Sequence, residues 1–248
     1  MLVPLPPTNV VDIFSEIHHA TARGVVMTPR SSSDKEYFAQ DWFQDRLTAL
    51  GLTYKLQGRN SHPDFWVTGA GVTEGYEVKS LALKGRGQPA RKDFDCNSTI
   101  PSGVKGGRDV FIVFFVYTGS GVNVRGVHSV VVMHGDFIND ERAIEHQNLA
   151  VHGFGSYGDG FIRDRKMYVF PHAFSIDPTG VGSRRLIVPA EWGVNDARLT
   201  KVKTLERDVA TMRLRGYEVD LFARQITPGR ERNPRSGSVR EFDVFEHV

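Results

Sequence analysis

Apolar positions recur along this chain in two rhythms, one helical and one extended. In residues 10–23, Val10, Ile13, Phe14 and Ile17 fall three and four apart, which is one face of a helix. Asn9 stands where that helix needs a cap, and Gly24 where it can end. His18 and His19 are neighbours and point in different directions on a helix, so they read as solvated or packed imidazoles rather than a metal pair. Residues 31–51 form the clearer helix. Ser33 and Glu36 have the spacing of a capping box, Phe38, Trp42 or Phe43, Leu47 and Leu50 line one side, and Gly51 stops it. Residues 53–57 then read as a first strand.

Further on, Phe65, Trp66 and Val67 and then Tyr76, Val78 and Leu81 suggest two short strands joined by a turn at Gly69 and Gly71. Residues 109–118, DVFIVFFVYT, are nearly all apolar and suit a central strand covered on both faces; residues 127–134 read as its neighbour. A helix is expected over 136–151, capped near Asp136 or Asn139, followed by a glycine-rich loop and a strand at 167–170. Residues 171–197, punctuated by Pro171, Pro178 and Pro189, read as irregular. The spacing of Val202, Leu205, Val209 and Met212 predicts an amphipathic helix over 200–215. Residues 217–222 read as a strand and 227–240 as a flexible basic arm. The element order predicts an α/β fold, a mixed central β-sheet flanked by helices, in a single domain over residues 1–248.

Composition narrows the picture. A length of 248 residues, 40% hydrophobic and 24% charged, is that of a soluble globular protein able to bury a full core. No apolar run reaches membrane-span length, and the first residues lack a basic start with a long apolar core, so neither a membrane segment nor a secretory signal is expected. The single cysteine, Cys96, excludes an internal disulfide or a cysteine-held metal cluster and suggests a reducing, cytoplasmic compartment. Net charge is only +2, but it is unevenly spread: +4 over residues 84–108, +6 over 198–240 and, by difference, −8 elsewhere. Such asymmetry suits a basic face for a polyanion.

The candidate chemistry lies in residues 62–83. Pro63-Asp64 is followed, after twelve residues, by Glu77-Val78-Lys79. Side chains alternate along a strand, so Glu77 and Lys79 share one face while Tyr76 and Val78 point to a core. A hairpin brings Asp64 close to both. Two carboxylates suit Mg²⁺, which takes one or two acidic ligands plus substrate phosphate, and Lys79 can orient water or stabilise developing negative charge. Asp164-Arg165-Lys166 has the same acid-x-Lys form, with Asp159 upstream, but no Pro-Asp precedes it, and it reads as a polar strand entry.

Pro63, Asp64, Glu77, Val78 and Lys79 resemble the motif of the PD-(D/E)XK nuclease superfamily. The resemblance covers about thirty residues and the helix before them. It implies a mixed sheet with flanking helices, Mg²⁺ bound by Asp64 and Glu77, a catalytic Lys79 and, through a helix-borne acid, an accessory role for Glu36. It implies a site-specific endonuclease of double-stranded DNA, a type II restriction enzyme of a restriction–modification pair acting as a homodimer. No phosphate-binding GK[ST] loop competes with this expectation. A repair or junction-resolving nuclease, a DNA-binding module without chemistry, and an unrelated α/β protein with a chance motif are the alternatives. The polar segment 85–107 holds five glycines and two prolines and little expected regular structure; Arg86, Gln88, Arg91, Lys92 and Asn97 are its candidates for base or phosphate contact.

Overall fold

A computed structural model of the chain describes residues 8–34, 37–58, 61–96, 103–120, 123–139, 168–220, 222–223 and 225–248. Two helices lead, α1 (Val10–Ala22) and α2 (Tyr37–Ala49), followed by strands β1 (Thr53–Leu56), β2 (Phe65–Gly69) and β3 (Val72–Lys84). Then come β4 (Gln88–Pro89), β5 (Asp93–Cys96), β6 (Val104–Lys105), β7 (Arg108–Thr118) and β8 (Gly126–His134). A short α3 (Asp136–Asn139), β9 (Tyr168–Pro171), a short α4 (Ala173–Ile176) and β10 (Arg184–Pro189) precede β11 (Leu199–Asp208), β12 (Met212–Asp220), β13 (Gln225–Arg232) and β14 (Val239–His247). The fold is mixed α/β, as expected. One large sheet runs β1-β2-β3-β7-β8-β10-β14-β11, with β4 paired to β3 and β6 to β7. The β3–β7 and β8–β10 pairs are parallel and the others antiparallel.

The apolar run of β7 has its predicted place. Residues 110–116 are all buried, because β3 and β8 flank the strand and apolar layers cover both faces. On one face α1 and α2 pack Ile13, Phe14, Trp42 and Phe43 against Tyr76, Phe111, Val113 and Phe115. On the other, Phe94, Phe137, Phe170 and Phe174 cover Ile112, Phe114, Val131 and Ile187. Each large side chain so buried contributes about 1.5–3 kcal/mol. No described helix is long and apolar enough to cross a membrane.

Several expectations are corrected. Residues 200–215 are not a helix: β11 and β12 occupy them, separated by a break near residues 209–211. Among the described strands β11 lies at the sheet edge, paired to β14 and largely exposed, and a register shift between Lys201 and Lys203 breaks its alternation. The three-and-four spacing therefore reflects two strands and a bulge. Residues 227–240 are not a free arm, since β13 pairs with β12 and residues 239–240 already belong to β14. Residues 171–197 contain β10, whose Leu186, Ile187 and Val188 are buried inside the sheet. The segment 85–107 is more ordered than expected, with β4, β5 and β6 all paired.

The helix starts also differ in detail. Asn9 occupies the N-cap of α1, but its side chain makes no cap bond; the Thr8 hydroxyl accepts from the Val10 N–H at 3.2 Å. At α2 the cap is Asp34 rather than Ser33: its Oδ1 accepts from the Tyr37 N–H at 2.8 Å. Glu36, Asn97, the Asp164–Lys166 motif with Asp159, and the expected helix beyond residue 139 lie outside the described residues.

Candidate active site

The site begins with a tight turn. Between β2 and β3, Ala70 and Gly71 both adopt positive φ, 48° and 80°, the arrangement that matches the twist of a two-residue hairpin. The register pairs Gly69 with Val72 and Phe65 with Tyr76, so β2 stops where β3 runs on. Asp64 then falls beside Glu77. Pro63 has no N–H with which to extend the ladder. Asp64 uses its side chain instead, and its Oδ2 accepts from the Val78 N–H at 2.8 Å.

Close packing fixes that corner. A Cβ built on Gly75 would lie 2.6 Å from Pro63 Cγ and 3.0 Å from Val110 Cγ2, so only glycine lets the proline sit against β3. Just before it, the carbonyl of His62 accepts from the Lys105 ammonium. The guanidinium of Arg108 lies 5.4 Å from the Trp66 ring centre.

Glu77 is buried and held by both oxygens. Lys79 Nζ lies 2.7 Å from Oε1, and His62 Nδ1 lies 3.1 Å from Oε2. Burial pushes this carboxyl up, but the Lys79 ammonium and then the His62 hydrogen bond outweigh it and hold it down at about 2. Asp64 goes the other way, to about 7. Burial is the main cause and the charge of Glu77 the next; Lys79, the Val78 N–H and a hydrogen bond with Gln40 oppose them. Two neighbouring carboxylates with divergent proton affinities are a pattern of functional sites.

Asp64, Glu77 and Lys79 therefore meet as the sequence predicts. The group that α2 brings to Asp64 is Gln40. Neither Gln40 nor His62 was singled out from the sequence. His62 stands directly before the Pro-Asp pair, and that adjacency was the only signal; Gln40 had none. Among the described residues no group of three His, Cys, Asp or Glu is gathered as a metal set. Asp64 and Glu77 are nevertheless the donor set Mg²⁺ accepts, two carboxylates with remaining positions left to water and phosphate.

The other candidates are scattered along a neighbouring segment. Arg86 lies in the 3₁₀ turn Gly85–Gly87. Gln88 and Lys92 are exposed. Arg91 Nε lies 3.5 Å from Asp93 Oδ1, and the Arg91 carbonyl accepts from His172 Nε2 at 2.6 Å. The Lys92 carbonyl accepts from the His172 N–H at 3.4 Å, so a buried histidine anchors this stretch. No known protein family matches the chain, and no curated protein matches it either.

Proposed function

We propose that this protein hydrolyses phosphodiester bonds in double-stranded DNA at Asp64, Glu77 and Lys79, with Mg²⁺ as cofactor. The observation that carries the reading is Glu77, a buried carboxylate kept ionised beside a second carboxylate that resists ionisation. A buried acid that serves only the fold has no need of such a neighbour, and the pair costs the fold stability. Asp64 and Glu77 would hold the cation, which when bound supplies Lewis acidity to the phosphate and lowers the pKa of its water. Asp64 would give up its proton on becoming a ligand. Lys79, with a quarter of its side chain exposed, extends from Glu77 to solvent and can donate to a phosphate oxygen as negative charge builds. Lys105 and Arg108 add positive charge around the same corner.

The resemblance to the PD-(D/E)XK nucleases gives the finer reading, a type II restriction endonuclease acting as a homodimer on a two-fold symmetric site. Gln88 and Lys92, both exposed, and Arg86, Arg91 and Asn97 remain the candidates for DNA contact. Incubation with phage DNA and Mg²⁺, read on a gel, tests both levels. Discrete bands support the site-specific enzyme, a smear reduces it to a non-specific nuclease, and intact DNA refutes it. Ca²⁺ in place of Mg²⁺ is expected to support binding without cutting, because it is larger and a weaker acid toward water.

A further inference from the structure

We propose that His62 is a positioning residue for Glu77, the fixed partner that keeps this carboxylate aimed while Lys79 exchanges its own contact for the substrate. The inference rests on the reading that Asp64 and Glu77 hold a divalent cation. A carboxylate only accepts, so His62 Nδ1 carries the proton and donates it to Oε2 at 3.1 Å. Nε2 is buried and has no hydrogen-bond partner among the described residues. Among the described residues the imidazole's anchoring bond is the one to Glu77.

The backbone around His62 is held from both sides. Its carbonyl accepts from Lys105, and the Pro63 ring that follows fits against Gly75. Exposure separates the two partners of Glu77. The side chain of His62 is 4% exposed and that of Lys79 is 25%. Lys79 can swing to a phosphate without crossing the core, and His62 cannot. Once Lys79 leaves Oε1, the His62 bond is what restrains the carboxylate. Such outer partners of ligand residues commonly set metal affinity by 10–100-fold.

Mn²⁺ binding to the whole protein, measured by calorimetry without DNA, tests this independently of cleavage. Three variants at this position serve. His62→Asn places an amide N–H close to where Nδ1 stands, while His62→Gln carries its amide one bond further out, and His62→Ala has no donor. Melting temperature is recorded for each. Binding is expected to weaken about 10–100-fold in His62→Ala and His62→Gln, and to stay within a few-fold of wild type in His62→Asn. Equal affinities for His62→Asn and His62→Gln, or a wild-type affinity in His62→Ala, would overturn the positioning role. Asp64→Ala separates the two levels. If wild type binds Mn²⁺, Asp64→Ala does not, and the His62 variants bind like wild type, only the His62 inference falls. If wild type binds none, or Asp64→Ala binds as well as wild type, the cation-site reading falls with it.

Discussion

Strand β3 buries a carboxylate on each face, three residues apart, and the two are treated in opposite ways. Glu74, on the side of α1, is surrounded by neutral donors: the Thr8 hydroxyl, the Asn9 N–H at 3.0 Å and the Tyr76 hydroxyl at 2.7 Å. Burial raises its pKa, and those bonds only partly oppose the rise. Glu77, on the opposite face, has a lysine and a histidine as partners and stays ionised. Glu74 ties the start of α1 to the sheet, so its work is done when the chain folds. Glu77 shares its cation partner with solvent and faces a second acid. Burial is common to both, so burial does not mark a reactive group. What separates the two is that Glu77 has a charged partner with a quarter of its side chain exposed.

The largest test of this contrast is removal of the acids. Glu77→Ala and Asp64→Ala are expected to abolish cleavage while leaving the protein folded, as judged by circular dichroism. Lys79→Ala should slow cleavage by at least ~100-fold, the scale of one preorganised donor or acid–base group. Lys84→Ala, just beyond the motif, should cut nearly normally. Wild-type rates in either folded acid variant would erase the distinction between the two faces.

Glu74→Ala supplies the opposite half. It strips partners from the Tyr76 hydroxyl and the Asn9 N–H, at a cost of about 1–3 kcal/mol for each buried group left unpaired. Denaturant unfolding should show that loss, while the cleavage rate per folded molecule stays unchanged. A variant of normal stability and no activity would reverse the roles assigned to the two carboxylates.

A smaller effect follows from Asp64, whose pKa is raised from 3.8 to about 7. The folded state then binds the proton more tightly than the unfolded chain. That contribution to stability is complete below pH 4 and is lost as pH rises through about 7. Without metal, Asp64→Asn should melt a few degrees above wild type at pH 8 and level with it near pH 4. The same difference at both pH values would remove Asp64 as a strained group.

The smallest effect lies on α1, the helix Glu74 anchors. His18 stacks on His247 with ring centres 4.3 Å apart, and its pKa falls from 6.5 to about 4 through burial, then through His247, Arg184 and His19. A depressed histidine favours the folded state above pH 6.5 and loses that contribution as pH falls through 4. His18→Phe should flatten the fall in melting temperature between those limits. An unchanged acid limb would show that this cluster charges without cost.

The sequence was most legible where burial imposes a rule. The run 109–118 could only be a strand covered on both faces, and Tyr76 and Val78 against Glu77 and Lys79 showed a strand with two different sides. Asp64, Glu77 and Lys79 were found because a hairpin fixes their relation locally. Where no face is fully buried, the rule weakens. β11 exposes most of its residues and carries a bulge, so its chance spacing of Val202 and Leu205 looked helical. β13 contains Pro228 and Gly229 and among the described strands pairs with β12 alone, which left no alternating signal. Gln40 and the anchoring of Arg91 by His172 depend on contacts between distant segments, and no local pattern encodes them.

Gly75 carries no functional group, yet it bears on the site from both directions. The space its missing side chain leaves is filled by Pro63, with His62 on one side of that ring and Asp64 on the other. In a saturation screen for loss of function, this position would score with the acids themselves. Any substitution there displaces Pro63, and with it Asp64 and His62, in one step. A lineage seeking to retune this centre could exchange lysines or reshape loops, but it would find this residue closed to drift.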